Sequence, residues 1–430
     1  MTMFSEFQRS IRVLMAVGMA VLTMTACDSA GADTSSETVG GIEGLERVPW
    51  EGGPGYWQEF ESASDWTNPE FFPIGLWYGS FDTKEQVLWD KSLGINFYTG
   101  GLWEASDFKV LESADMDWVG GQINSGFDPA SKNWPGRMTD DEIDGRFEDP
   151  AEGQALLQNV IDEFGGKEQF LYGNYTHMVV GEDMPLADQE KYVNDYSDVV
   201  SLDMYLYTIP FCDFPNYRGE LYVNPIPEST CRSASSYGRM VDSLRARDAV
   251  DGRLQPVWNF VEVLSGAGEE ESFSRYVTPE ELKGAAMSSL INEARGLVWF
   301  QQSFAGPCKS SQPLRDAQVL GSGFCGDSQV RAMGEVNNLI KSLATVLNTQ
   351  SYRWDAGPGT DTMLKVKDGF AYMFAMTDGT AGSRHLALPA GLTDTVEVVG
   401  EDRDITATDG SFQDEFESEA EYHVYKIALD

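Results

Sequence analysis

Two glutamates stand where a carboxyl group is costly unless it serves a site. Glu262 interrupts the apolar run Trp258-Asn259-Phe260-Val261-Glu262-Val263, and an unpaired charge in such a strand is strongly disfavoured. Glu142 lies in Asp140-Asp141-Glu142-Ile143-Asp144, a crowd of carboxylates whose mutual repulsion raises at least one pKa, as a general acid requires. Two carboxyl groups flanking a bond can cleave a glycosidic linkage: one protonates the leaving oxygen and the other attacks or activates water. A separation of about 5 Å goes with retention and roughly 6.5 to 9.5 Å with inversion. Asp140, Asp141 and Asp144 remain alternatives to Glu142 as the acid. Asn174, Tyr175, His177 and Asp203 are polar residues at the ends of apolar runs, fit either to line a pocket or to brace a fold. Gln122 and Asn124 could hydrogen-bond hydroxyls. Trp77, Trp103, Trp258 and Trp299 are either packing residues or faces on which a sugar ring could stack. With three histidines, His177, His385 and His423, and no Cys/His spacing of a metal site, neither zinc nor a Ser-His-Asp centre is expected, and the chemistry needs no cofactor.

Eight β-rich runs would position these side chains: Phe72 to Ser80, Ile95 to Trp103, Trp118 to Ile123, Arg137 to Ile143, Phe170 to His177, Val199 to Tyr207, Pro256 to Leu264 and Gly296 to Phe304. Amphipathic stretches alternate with them. Asp149-Pro150 opens one helix, with Leu156, Leu157, Val160, Ile161 and Phe164 on its apolar side, and Thr278-Pro279-Glu280-Glu281 opens another. Residues 124–136 show no helical period, the weak link in the series. Eight such units predict a (β/α)8 TIM barrel, whose active residues lie at the C-terminal ends of the strands. A helix after the eighth strand carries Val330, Met333, Val336, Leu339, Ile340 and Leu343 on one stripe. From Ser351 the pattern turns to alternation, with Asp368-Gly369 as a hairpin signal, predicting a small C-terminal antiparallel β-sandwich domain. The domain plan is 1–26 leader, 27–49 tether, 50–348 barrel and 349–430 sandwich.

The N-terminal segment has Arg9 and Arg12, an apolar run from Val13 to Leu22, and small residues before Cys27. This is the pattern of a lipoprotein signal, with Cys27 as the lipid attachment site and the mature chain carried outside the membrane, or secreted if the leader is simply cleaved. The remaining cysteines are expected to pair locally, Cys212 with Cys231 and Cys308 with Cys325, each stapling a long loop. Acidic residues outnumber basic ones 69 to 30, a formal charge of -39. That balance argues against nucleic acid or an anionic membrane surface as partner and suits a neutral or cationic ligand, or plain solubility.

The layout, a glutamate ending strand four and another ending strand seven, resembles the retaining glycoside hydrolases of clan A. Phe72-Pro73-Ile74-Gly75-Leu76-Trp77 resembles their first strand and Leu93-Gly94-Ile95-Asn96 the entry to the second. Ser201-Leu202-Asp203-Met204-Tyr205-Leu206-Tyr207, Ala294-Arg295-Gly296-Leu297-Val298-Trp299-Phe300 and the tail Glu421 to Ile427 are similar to their strands six, eight and last. The resemblance spans about residues 70 to 428. It implies a carbohydrate substrate, Glu142 as acid/base, Glu262 as nucleophile, Tyr205 or Tyr207 beside the nucleophile, and Trp299 as a sugar platform. The chain departs from that pattern at Asp141, where the clan usually carries Asn before the acid.

Overall fold

The computed structural model describes residues 42, 44–102 and 106–430. The leader, Cys27, most of the tether and Trp103 lie outside them. Eight parallel strands close into a barrel in chain order: β1 (Ile74–Gly79), β2 (Phe97–Leu102), β3 (Asp117–Val119), β4 (Gly136–Asp141), β5 (Phe170–Tyr175), β6 (Val199–Leu202), β7 (Val257–Glu262) and β8 (Gly296–Phe300), with β8 paired back to β1. Alternate residues fill the interior, chiefly the rings of Phe97, Phe170, Tyr172, Trp258 and Phe260. Such rings need small residues beside them. A Cβ on Gly75, Gly136 or Gly296 would come within 2.4, 2.4 and 2.6 Å of Phe97, Phe170 and Trp258. Two short 3-10 turns before β1, Gly53–Glu59 and Glu61–Thr67, plug the N-terminal end with Trp57, Phe60 and Trp66. The Trp66 indole N–H donates to Asp117 at 2.7 Å.

Helices cover the outside: α1 (Lys84–Ser92), α2 (Phe108–Ser113), α3 (Pro150–Phe164), α4 (Leu186–Asp195), α5 (Ala234–Asp248), α6 (Pro279–Ile291), α7 (Pro313–Leu320) and α8 (Asp327–Ser342). The helix starts follow the expected chemistry. Asp149 caps α3 through the Ala151 N–H, and Thr278 with Glu281 forms a capping box on α6. The weak link is real: no helix joins β3 to β4, and their pairing is Val119 with Gly136. Strand six ends at Leu202, five residues before the expected end. The chain turns at Tyr205, whose carbonyl accepts the N–H groups of Thr208 and Ile209, both at 3.1 Å.

Beyond α8 the chain forms an antiparallel C-terminal unit. A six-stranded sheet runs in the order β14 (Arg403–Thr406), β13 (Leu392–Val398), β16 (Tyr422–Leu429), β11 (Phe370–Thr377), β10 (Thr360–Lys367) and β9 (Ser351–Tyr352), and a two-stranded one pairs β12 (Gly382–Ala387) with β15 (Ser411–Phe416). Asp368 and Gly369, at φ 50° and 80°, make the tight β10–β11 turn. The architecture is therefore a TIM barrel followed by an antiparallel β-sandwich. Both expected disulfides are present, Cys212–Cys231 and Cys308–Cys325.

Candidate functional site at the barrel mouth

The end of β4 separates the four clustered acids. Asp140 is paired with Arg146 at 2.5 Å. Asp144 is buried and accepts the Thr176 N–H and hydroxyl at 3.0 and 2.7 Å, tying the β4 loop to the β5 loop. Asp141 accepts the Asn174 amide at 2.9 Å. Glu142 is left at the turn itself, with left-handed backbone angles of φ 48° and ψ 32° and its N–H bonded to the Asn174 carbonyl at 2.9 Å. A left-handed glutamate is uncommon and costs about 1 kcal/mol or more, a kind of strain that clusters at functional sites. Of the four acids, Glu142 is the one that lines a cavity of about 550 Å³ at the mouth.

Asp203, just past β6, lines the same cavity. Its Oδ2 accepts from Asn174 at 3.4 Å, and the buried Tyr205 hydroxyl faces the same carboxylate. Asn174 is held in turn by the Ser201 hydroxyl at 2.5 Å, and Ser201 meets the Tyr172 hydroxyl at 2.7 Å. This buried row fixes one amide against two carboxylates. Burial, then the charges of Asp141 and Asp144, push Glu142 up to about 7. Burial and the facing Glu142 carboxylate hold Asp203 well above the usual range. Two carboxyl groups in these surroundings keep a proton near neutral pH, which suits one of them to donate it.

The rest of the cavity wall comes from loops. His177 lies 3.8 Å from Asp183, with its pKa lowered chiefly by burial. Met204, Tyr205, Ile209, Pro210, Phe211 and Phe214 form an apolar side, and Glu269 and Glu271 an acidic rim. Of this apolar side only Tyr205 was among the sequence candidates, although the Cys212 staple next to Phe211 marks the rest. Among the described residues, no group of three or more His, Cys, Asp or Glu is arranged to hold a metal ion. A smaller cavity of about 240 Å³, lined by Trp50, Glu51, Glu293 and Arg295, lies at the opposite end of the barrel, the end associated with stability.

Four expected positions are corrected. Glu262 does end β7, yet it does not open into the mouth. It is fully buried, both oxygens accept the Tyr237 hydroxyl at 2.8 Å, and burial pushes its pKa up to about 7. The turn Tyr205–Ile209 folds across the end of β7 and is pinned there, with the Gly266 N–H on the Thr208 hydroxyl at 2.9 Å and the Ser274 N–H on the Thr208 carbonyl at 2.7 Å. Trp299 faces outward, fully buried, its indole N–H on Asn337 of α8 at 2.9 Å, so it offers no face to a sugar. Tyr207 is buried outside the barrel and donates to Glu419 at 2.7 Å. Trp77, the fourth, is buried and packs edge-on against Phe260 at 5.5 Å between ring centres, and it does not line the mouth cavity.

No protein-family model matches the chain, and no curated protein matches it. Solved structures similar in shape include a GH30 endoxylanase from Clostridium papyrosolvens (11% identity, 90% of this chain and 98% of that one, TM-score 0.42). Another is AbfB, a family 51 α-L-arabinofuranosidase from Bifidobacterium longum (10%, 84% and 96%, 0.44). A third is an α-amylase from Geobacillus thermoleovorans complexed with acarbose (11%, 84% and 99%, 0.38). Likeness at these values says nothing about substrate or site residues.

Proposed function

We propose that this chain is a glycosidase that hydrolyses a neutral oligo- or polysaccharide, with Glu142 as acid/base. The observation that carries this reading is Glu142 itself, strained and opening into the mouth cavity, and pushed up to about 7 in the company of Asp203. An acid with its pKa near neutral can protonate a leaving oxygen and return as base. The apolar wall of Met204, Ile209, Phe211 and Phe214 supplies faces for the non-polar side of a sugar ring.

The second carboxylate has two claimants, each with its own support. The strand-four and strand-seven layout favours Glu262 as nucleophile of a retaining mechanism, a role that requires the Tyr205–Ile209 turn to move off it. The cavity favours Asp203, which already shares a wall with Glu142. The acidic rim is consistent with exclusion of strongly anionic substrates. The same reading places the protein outside the membrane, lipid-anchored through Cys27 or secreted, in a compartment where its two disulfides persist.

The test is hydrolysis of a panel of aryl glycosides and plant and microbial polysaccharides by the soluble chain from about residue 46, alongside Glu142→Gln, Asp203→Asn and Glu262→Gln. A loss of about a hundredfold or more is expected for Glu142→Gln. A comparable loss in Glu262→Gln but not in Asp203→Asn assigns the nucleophile to β7, and the reverse assigns it to Asp203. Saturable polysaccharide binding with no turnover in the wild type would replace the enzyme with a carbohydrate-binding protein.

A further inference from the structure

Glu262 ends a chain of contacts that begins in another part of the molecule. The Tyr237 hydroxyl that donates to it accepts, in turn, the Tyr207 backbone N–H at 3.1 Å. The two tyrosine rings stack with centres 5.4 Å apart. Tyr207 sends its hydroxyl away from the barrel to Glu419 Oε1 at 2.7 Å, while Glu419 Oε2 accepts the N–H of Ala234, the first residue of α5, at 2.8 Å. Glu419 belongs to the turn between β15 and β16 of the C-terminal unit. That turn is seated against α6, where a Cβ on Gly284 would lie 2.5 Å from the Ala420 carbonyl. Arg275 lies over the Tyr207 ring at 5.4 Å and is bidentate to Glu281 at 2.7 and 2.8 Å.

Both phenol hydroxyls in this chain are buried, so each is confined to the partners named here. A buried donor that loses its acceptor is left unsatisfied and must move or admit water. Glu419 therefore fixes two things at once: the direction of Tyr207 and the start of α5 that carries Tyr237. Together these determine where the Tyr237 hydroxyl meets Glu262 and how the Tyr205–Ile209 turn lies across β7. That turn also forms part of the cavity wall.

We propose that Glu419 is a positioning residue for the mouth site, acting through Tyr207 and Tyr237 on Glu262 and on the turn that covers it. The proposal rests on the reading of that mouth as the active site. A packing role alone would be served by an apolar residue at 419. The carboxylate is required because it accepts two donors, one from the barrel loop and one from α5, and charge-assisted hydrogen bonds of this kind are the stronger ones.

The experiment uses the full chain with Glu419→Ala, Glu419→Gln and, as benchmark, Tyr237→Phe. The Glu262 side-chain carboxyl is titrated by carbon NMR, assigned by difference against Glu262→Gln. Donation from Tyr237 favours the ionised form, so Tyr237→Phe raises the midpoint, and Glu419→Ala is expected to raise it in the same direction by about half a unit or more. Glu419→Gln keeps an acceptor for Tyr207 and is expected to restore at least half of that change. With an active substrate in hand, Glu419→Ala lowers kcat about tenfold with KM within about twofold. A midpoint that stays put or moves down in a folded Glu419→Ala, or a lowered Tm as the only change, overturns the proposal. The titration needs no turnover, so failure of the glycosidase reading and failure of the positioning role give different results.

Discussion

Glu142 is held in a backbone conformation that a glycine would adopt without penalty, among carboxylates that oppose its charge. Both features are unfavourable for folding and useful for an acid, so stability and activity should separate at this position. Glu142→Gly is expected to unfold at higher urea than the wild type, by about 1 kcal/mol, while losing hydrolysis. A less stable Gly variant would mean that the side chain is kept for packing. Glu262 gives a second prediction, from its pH dependence. Its pKa rises from 4.5 unfolded to about 7 folded, chiefly through burial. The folded state therefore prefers the protonated form: no penalty exists below about pH 4.5, and it grows as pH rises to 7 and stays above it. Glu262→Gln keeps a partner for Tyr237 and removes the charge. Its stability relative to wild type should climb between pH 4.5 and 7, by up to roughly 3 kcal/mol, in urea titrations at stepped pH. A pH-independent difference would place the carboxyl in contact with water.

The element that decides the shape of the mouth is the segment after β6. Cys212–Cys231 closes the loop that carries Phe214 and starts right after Phe211, and the next residue, Arg232, donates to the carbonyls of Leu206, Tyr207 and Ile209 at 3.3, 2.6 and 2.9 Å. The disulfide thus also delivers the guanidinium that clamps the turn over β7. Replacing both cysteines with serine is expected to cost about 3 kcal/mol of stability, the closure entropy of a loop this long. It should also raise KM more than it lowers kcat, because the apolar wall loosens while Glu142 stays tied to β5. An unchanged KM would remove Phe211 and Phe214 from the binding surface. The same segment shows where legibility stopped. Buried parallel strands read as continuous apolar runs, which makes most of the eight legible, together with the caps of α3 and α6; β4, which carries Arg137, Asp140 and Asp141, shows no such run. The run Leu202 to Tyr207 alternates as a strand would, yet it turns at Tyr205 because Thr208 and Ile209 can bond back to its carbonyl. Glu262 and Tyr207 were misplaced for that reason, since which side a turn folds toward is a tertiary matter. Trp299 was readable in principle. Gly296, Val298 and Phe300 are the inward set of β8, which puts Trp299 on the outer side with Asn337.

At the scale of the molecule, the surplus of 69 acids over 30 bases makes a field that no single contact expresses. The ion pairs on the surface, such as Lys167–Glu59 and Lys309–Glu270, join side chains about half exposed or more, where solvent screening leaves them little weight. Self-repulsion of the remaining carboxylates is then the larger electrostatic contribution, and it opposes the compact state. Salt shortens the reach of that repulsion, from roughly 10 Å at 0.1 M to about 3 Å at 1 M. Sodium chloride between about 0.05 and 1 M should therefore raise Tm by a few degrees. A falling Tm would mean that attractive pairs outweigh the surplus. The field also acts on substrates, because Glu269 and Glu271 stand at the rim of the cavity. KM for a neutral oligosaccharide should stay flat across the same salt series. A carboxylated analogue should have a KM that is high at low salt and falls as salt rises, since screening weakens its repulsion from the mouth. Equal salt dependence for the two substrates would show that the charge sits too far from the bound sugar to select among substrates, leaving selection to the walls of the cavity.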